Sequence, residues 1–323
     1  MGLFQLEMNN PIVRSKPRAS GIGDCARKQG YSMRNVGATN GQARDGALTT
    51  EQGRQMEELS VELIRAASNN TLVVANRQIE LPPEYIMTGH PDGQIVPIER
   101  AYWRNDCAVC GHNPRFDEPC DPQISGHVYR AVGWTAPIDT KVDGQVVGFE
   151  HKHLGQYGYN SIWKEGFVKA EPGYYAQTLS YADALGWDTV RVVVLAQDSS
   201  GTNQEASINL GAKNPKTRWA NQVDYHPKLT MLDLDMGLAT NLQARLRLRA
   251  QWLTSTLFEN AIDPGNIVRE ADPETWSRTR PVLQDDGTVE LVSGPEFPCG
   301  WCPWLTRCMD DGPGHLQAPA LPF

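Results

Sequence analysis

The sequence predicts a mixed α/β fold, a central sheet flanked by helices. Three stretches carry that prediction. "TTEQGRQMEELSVELIRAAS" (49–68) repeats apolar residues at helical spacing, with Met56, Leu59, Leu63 and Ala67 recurring along it. "EPGYYAQTLSYADALG" (171–186) has Pro172 in its first turn and Gly186 at its end, as helices prefer. "TVRVVVLAQ" (189–197) is a continuous apolar run of the kind that makes a buried strand.

The other elements follow in order. Residues 1–19 read as irregular, and "SGIGDCARKQGYSMR" (20–34) as a short, serine-started helix with basic residues. Strands are expected near 72–80 and 85–98, rich in Val, Ile and aromatic residues. The pattern breaks over 101–130, where three cysteines, three prolines and two histidines read as an inserted knuckle. Strands resume near 131–138 and 145–153. A long helix is expected over 234–260, with Arg245, Arg247 and Arg249 giving it a basic face. The tail from 263 is loop-rich and ends in a cysteine cluster. There is no internal repeat, and 323 residues suffice for one large core. The chain reads as a single domain, 1–323, with an insertion at 101–130 and both termini closing on it.

Bulk properties narrow the function. Apolar runs such as "VRVVVLA" are too short to span a bilayer, so no membrane partner is expected. The start "MGLFQLEMNN" lacks a basic and then apolar leader, and Leu6 stands where a myristoylation site wants Ser or Thr. The expected location is cytoplasmic. A net charge of −8 argues against a non-specific nucleic-acid coat. It leaves room for an enzyme that takes DNA into one cleft, because metal-holding carboxylates add to the acidic count. Seven cysteines without an export signal favour metal binding over disulfides.

The carboxylates come next. "GHPDG" (89–93) presents Asp92 near the end of a predicted strand, with His90 two residues before it as a supporting hydrogen-bond partner. "VVGFEHKHL" (146–154) presents Glu150 and Lys152 two apart, hence on one face of a strand, with Phe149 and His151 on the other. Two carboxylates can hold a hard cation such as Mg²⁺, and a lysine beside them can position water or stabilise developing charge. Taken singly, E-x-K is usually a solvated pair and PDG a turn. "QTLSY" places Gln177 and Tyr181 on one helix face, and Glu57 lies on the upstream helix.

With "CARKQGY" near the start and C-x2-C-x5-C near the end, these motifs together resemble the RecB-like branch of the PD-(D/E)xK nuclease superfamily. They look most like its iron–sulfur exonucleases of the CRISPR-associated and phage-encoded type. The resemblance runs in order from about Ser20 to Cys308. It implies a restriction-endonuclease-like core in which Asp92, Glu150 and the His151 backbone carbonyl hold Mg²⁺ or Mn²⁺. Lys152 would act on the nucleophilic water. Gln177 and Tyr181 would orient the lysine or the DNA backbone. Glu57, where many relatives have histidine, would be a second-metal or outer ligand, against the alternative of a solvated glutamate.

The resemblance also implies a [4Fe–4S] cluster held by Cys25, Cys299, Cys302 and Cys308, pinning segments 20–34 and 290–310 together; the same four thiolates would suit Zn²⁺. Trp301 and Trp304 would shield it. The family does not require the 101–130 insertion. There Cys107, Cys110 and Cys120, with His112 or His127, have zinc-like spacing, against the alternative of free cysteines in a loop. Asp106, Asp117, Glu118 and Asp121 argue against phosphate contact by this segment.

The implied reaction is metal-dependent hydrolysis of DNA phosphodiesters from ends, in recombination, repair or end processing, in a prokaryotic cell, a phage-infected one included. The expected partners are single- or double-stranded DNA ends and a recombinase or single-strand-annealing protein. A rival reading is a non-catalytic DNA-end-binding partner of a recombination or spacer-acquisition complex. Arg27, Lys28, Arg34 and the arginines of 245–249 are candidates to line a basic DNA channel.

Overall fold

The computed structural model describes residues 14–38, 45–107, 129–196, 229–270, 276–283, 289–295 and 302–321. In chain order the elements are helices α1 (Ala26–Met33) and α2 (Asp45–Ala67), strands β1 (Leu72–Ala75), β2 (Gly93–Pro97), β3 (Tyr102–Cys107), β4 (Tyr129–Thr135) and β5 (Val147–Leu154). Helices α3 (Gln156–Glu165), α4 (Phe167–Ala170) and α5 (Pro172–Leu185) follow, then β6 (Thr189–Ala196), β7 (Leu229–Asp235) and helix α6 (Thr240–Thr254). Strands β8 (Trp276–Leu283) and β9 (Val289–Pro295) precede the last helix, α7 (Leu305–Asp310). The chain divides into two compact units, one of Ala47–Pro82 and Gly89–Thr240, the other of Met1–Gly46, Pro83–Thr88 and Asn241–Phe323.

The first of these units is α/β, with a mixed five-stranded sheet in the order β1-β2-β5-β6-β7. Only β5 and β6 are parallel; the other neighbours are antiparallel. The parallel pair needs a crossover, which α3 to α5 supply. Strand β6 is buried from Val192 to Leu195, as its unbroken apolar run requires. On one face of the sheet, Phe149, Val147, Ile95, Val74 and Val193 pack against Ile64 of α2. On the outer strands, Val73, Ala75, Val96 and Ala136 form a second cluster against Trp134 of β4.

The other unit is built around buried arginines. Arg27 of α1 and Arg249 of α6 are almost wholly buried. Arg249 binds both Glu270 carboxylate oxygens, and Glu270 Oε2 also accepts the Ala26 N–H at 2.8 Å. That carboxylate thus caps the start of α1 while neutralising a buried cation. Strands β8 and β9 form an antiparallel hairpin.

Several expectations shift. Strand 85–98 is confined to β2, because Thr88 pairs instead with 17–19. Strand 72–80 stops at Ala75, where Asn76 and Gln78 take positive φ. Helix 49–68 forms, but Met56 and Leu59 are exposed; its inward face is Ser60 and Ile64, with Glu57 one turn before. The knuckle 101–130 is strand at both ends, since β3 and β4 pair from Tyr102↔Thr135 to Cys107↔Tyr129. Helix 234–260 begins only at Thr240. The alternation of Leu and Asp over 232–235 belongs to β7, and the helix ends in a π turn, Ser255–Glu259. The tail carries β8 and β9 where loop was expected.

Candidate active site

Asp92 is brought to Glu150 by strand register. Gly93 pairs with Phe149 across the antiparallel β2–β5 ladder, so the next step outward sets Asp92 opposite Glu150. Asp92 Oδ2 accepts the His151 backbone N–H at 2.7 Å, which closes the ladder with a side chain. Glycine at 93 is forced by close approach: a Cβ there would stand 2.5 Å from Val74 Cγ1 and 3.0 Å from the Ala75 carbonyl.

The period-two alternation of β5 sorts its residues as the sequence predicts. Phe149 and His151 point toward α2, where His151 Nδ1 lies 2.8 Å from Ser60 Oγ. Burial, then Lys152 and His153, push the imidazole down to about 3, so it is neutral. Gly148 lies on the opposite face under Trp187, and Glu150 and Lys152 share that face.

Lys152 Nζ donates to Glu150 Oε2 at 2.7 Å, and both side chains are buried. Burial, then Asp92, raise the Glu150 carboxyl well above its ordinary value, with Lys152 working against them. Burial also acts to lower Lys152, but Glu150 and Asp92 outweigh it and hold the proton on Nζ. Glu150 Oε1 is buried with no hydrogen-bond partner among the described residues.

Helix α5 supplies the next shell. Gln177 Nε2 donates to Tyr181 Oη at 3.2 Å, the (i, i+4) contact its spacing predicts. Burial, then Glu150, push the Tyr181 phenol up to about 12. A Cβ on Gly89 would lie 2.7 Å from Tyr181 Cε1, so the loop before Asp92 packs directly against this ring. Tyr174, one turn before Gln177, lies under the lysine, with Nζ 5.1 Å from its ring centroid. Sequence reading missed Tyr174, although its place three residues before Gln177 was the available signal.

Glu57 is half-buried, not solvated as the alternative had it. Its Oε1 accepts from Arg77 Nη2 at 2.8 Å. Burial, then Asp92, raise its carboxyl. Asp92 therefore acts electrostatically on both Glu57 and Glu150. Arg77 is a second residue the sequence reading passed over; nothing in its local pattern marks it. His90 is exposed and lies 3.6 Å from Glu80, away from the supporting role expected of it.

In the other unit, three of the four expected cluster cysteines are described: Cys25, Cys302 and Cys308, all partly exposed free thiols. Burial raises the Cys302 thiol, the Trp304 backbone and Lys28 act against it, and Cys25 and Cys308 raise it further, so Cys302 is within electrostatic reach of both. Arg27 Nη1 lies 3.6 Å from Cys308 Sγ. Trp304 Nε1 donates to the Val36 carbonyl at 2.8 Å, and its ring lies 6.2 Å from that of Tyr31. Cys299 and Trp301 lie outside the described residues. So do Cys110, His112, Cys120 and His127; of Cys107 only the backbone is described, at the end of β3.

Two of the residues nominated for a basic channel cannot line one. Arg27 is fully buried and donates to the carbonyls of Ile267, Gly265 and Gly312, and Arg249 is engaged by Glu270. Among the described residues, no three His, Cys, Asp and Glu side chains form a group set to hold a single metal ion. None of the described helices is long and apolar enough to cross a membrane. Compared with protein-family models, characterised proteins and solved structures, the chain matches none.

Proposed function

We propose that this chain is a metal-dependent deoxyribonuclease with a PD-(D/E)xK core of the RecB-like type, acting as an exonuclease at DNA ends. One observation carries the reading: Asp92 and Glu150 face each other across the β2–β5 ladder, with Lys152 bound to Glu150 on the same strand face.

The donor set fits a hard divalent cation. Asp92 raises the carboxyls of both Glu57 and Glu150, a repulsion that a cation would relieve, and Glu150 Oε1 is buried without a partner among the described residues. Asp92 and Glu150 would hold Mg²⁺ or Mn²⁺, with the His151 carbonyl as a third ligand and Glu57 behind. The bound cation would supply Lewis-acid stabilisation of phosphoryl charge and a more acidic water.

Lys152 keeps its proton between two carboxylates, so it serves as a positive charge and donor rather than a base. It orients water or stabilises charge on the phosphate oxygens. Gln177 donates to Tyr181 and leaves the phenol proton for a phosphate oxygen or for water. Tyr174 holds the ammonium from below.

The thiol set also fits its group. Cys25 and Cys308 both act on the Cys302 thiol, one from near each end of the sequence. With Cys299 they would hold a [4Fe–4S] cluster, restraining chain ends as a cross-link does. A zinc knuckle at Cys107, Cys110 and Cys120, with His112 or His127, completes the proposed metal inventory.

The test is cleavage of end-labelled single- and double-stranded DNA by anaerobically purified protein, parent and Lys152→Ala, with Mg²⁺, Mn²⁺ or EDTA. Metal-dependent shortening that is lost in the folded variant supports the reading. A brown, folded parent that binds DNA ends without cutting them would favour the end-binding partner instead.

A further inference from the structure

Arg77 follows β1 in a turn whose flanking residues, Asn76 and Gln78, both have positive φ. The turn sends its side chain back to α2. There Nη1 donates to Glu58 Oε2 at 2.7 Å, and Nη2 donates to Glu58 Oε1 at 2.9 Å and to Glu57 Oε1 at 2.8 Å. The two glutamates are adjacent in sequence but not in role. Glu58 takes the fork in bidentate fashion with its side chain 55% exposed; Glu57 takes one bond with its side chain 13% exposed. Glu57 is the one within reach of Asp92. Arg54 also faces Glu58. The Arg77 stem packs over the start of β2, where a Cβ on Gly93 would stand 3.3 Å from its Cγ.

Resting on the metal-dependent reading of Asp92 and Glu150, we propose that Arg77 is a built-in competitor for the divalent cation, occupying Glu57 until the ion displaces it. The guanidinium supplies positive charge beside carboxylates that otherwise repel one another. An ion that recruits Glu57 must break one hydrogen bond and accept a nearby cation. Glu58 makes that exchange feasible: its bidentate pairing keeps Arg77 neutralised after Glu57 is released. Arg77 is a positioning residue in this scheme, and it sets the cation concentration at which the site fills.

The experiment is Mn²⁺ titration of the full chain, reading free Mn²⁺ by electron paramagnetic resonance. The proteins are the parent, Asp92→Asn, Arg77→Gln, Glu57→Gln, Arg77→Gln/Glu57→Gln and Glu58→Gln. Arg77→Gln should bind Mn²⁺ roughly threefold or more tighter, because a charge within a few ångströms of Glu57 is gone. In the Glu57→Gln background the same change should have a smaller effect. Glu58→Gln, which leaves Arg77 only Glu57, should weaken binding, and it serves if Arg77→Gln does not fold. Equal or weaker binding by Arg77→Gln, or equal or tighter binding by Glu58→Gln, overturns the competitor role. If Asp92→Asn loses Mn²⁺ while Arg77→Gln matches the parent, this inference alone falls. If the parent binds no Mn²⁺, or Asp92→Asn binds it as well as the parent, the metal site falls and this inference with it.

Discussion

Lys152 Nζ and Glu150 Oε2 are 2.7 Å apart in a buried pair, and the other oxygen of Glu150 has no hydrogen-bond partner among the described residues. A buried ion pair with an orphaned oxygen is a poor device for stability, because desolvation offsets most of the attraction.

Breaking and replacing this pair should therefore have opposite effects. Lys152→Met leaves buried Glu150 without its partner and should lower unfolding free energy by about 3 kcal/mol at neutral pH. Glu150→Gln/Lys152→Met should recover most of that loss while remaining inactive. Urea melts and cleavage assays on the same preparations check both halves. A double variant no more stable than Lys152→Met would mean the pair is structural.

His151 should give the protein an acid-sensitive component. Burial, then Lys152 and His153, push its folded value to about 3, below the ordinary 6.5. The unfolded chain takes up a proton that the folded state refuses, so this contribution is present above 6.5 and is lost as pH falls toward 3. The limiting slope is about 1.4 kcal/mol per pH unit. The raised carboxyl of Glu150 acts in the other sense. There the folded state keeps a proton that the unfolded chain releases, so stability falls as pH rises from 4.5 through the raised value. Comparing His151→Gln with the parent isolates the histidine: between pH 7 and pH 5 the parent should lose stability relative to the variant. Parallel curves would contradict it.

Tyr174 should matter through its ring. The face holds Lys152, a contact worth about 0.5–2 kcal/mol. Tyr174→Phe should keep near-parent kcat, and Tyr174→Leu should lower kcat roughly 3- to 30-fold with little change in KM. A hydroxyl-dependent role would show instead as a defect in Tyr174→Phe.

Arg27 should be a clamp of the terminal unit. Its guanidinium serves the carbonyls of Ile267, Gly265 and Gly312 and lies beside Cys308 Sγ. Each carbonyl left without its donor costs about 1–3 kcal/mol. Arg27→Lys, which cannot span the fork, should lower the melting temperature. A lysine variant as stable as the parent would show that the carbonyls find other donors.

Much of the site was legible because strand alternation is short-ranged. Glu150 and Lys152 share a face, and Phe149 and His151 take the other, from period two alone. The (i, i+4) pair Gln177 and Tyr181 was equally local. Asp92 was found as a residue but its strand was drawn too long, because the pairing of Thr88 with 17–19 is tertiary and leaves no local mark. The face of α2 was misread for a related reason. Met56 and Leu59 are apolar yet exposed, while polar Ser60 turns inward to meet His151. Arg77 reaches the site from a turn beyond β1, and Arg27 and Arg249 are buried only because distant carbonyls and Glu270 surround them. A sequence shows such arginines as surface charge.

The most direct measurement is single-turnover cleavage of end-labelled DNA by Asp92→Asn beside the parent, each shown folded by circular dichroism, across a Mn²⁺ series. If Asp92 and Glu150 form the catalytic centre, the parent will shorten the labelled strand only with metal, and Asp92→Asn will be slower by about 10²-fold or more. Cleavage by the folded variant at the parent's rate, or cleavage by the parent in EDTA, would contradict the assignment.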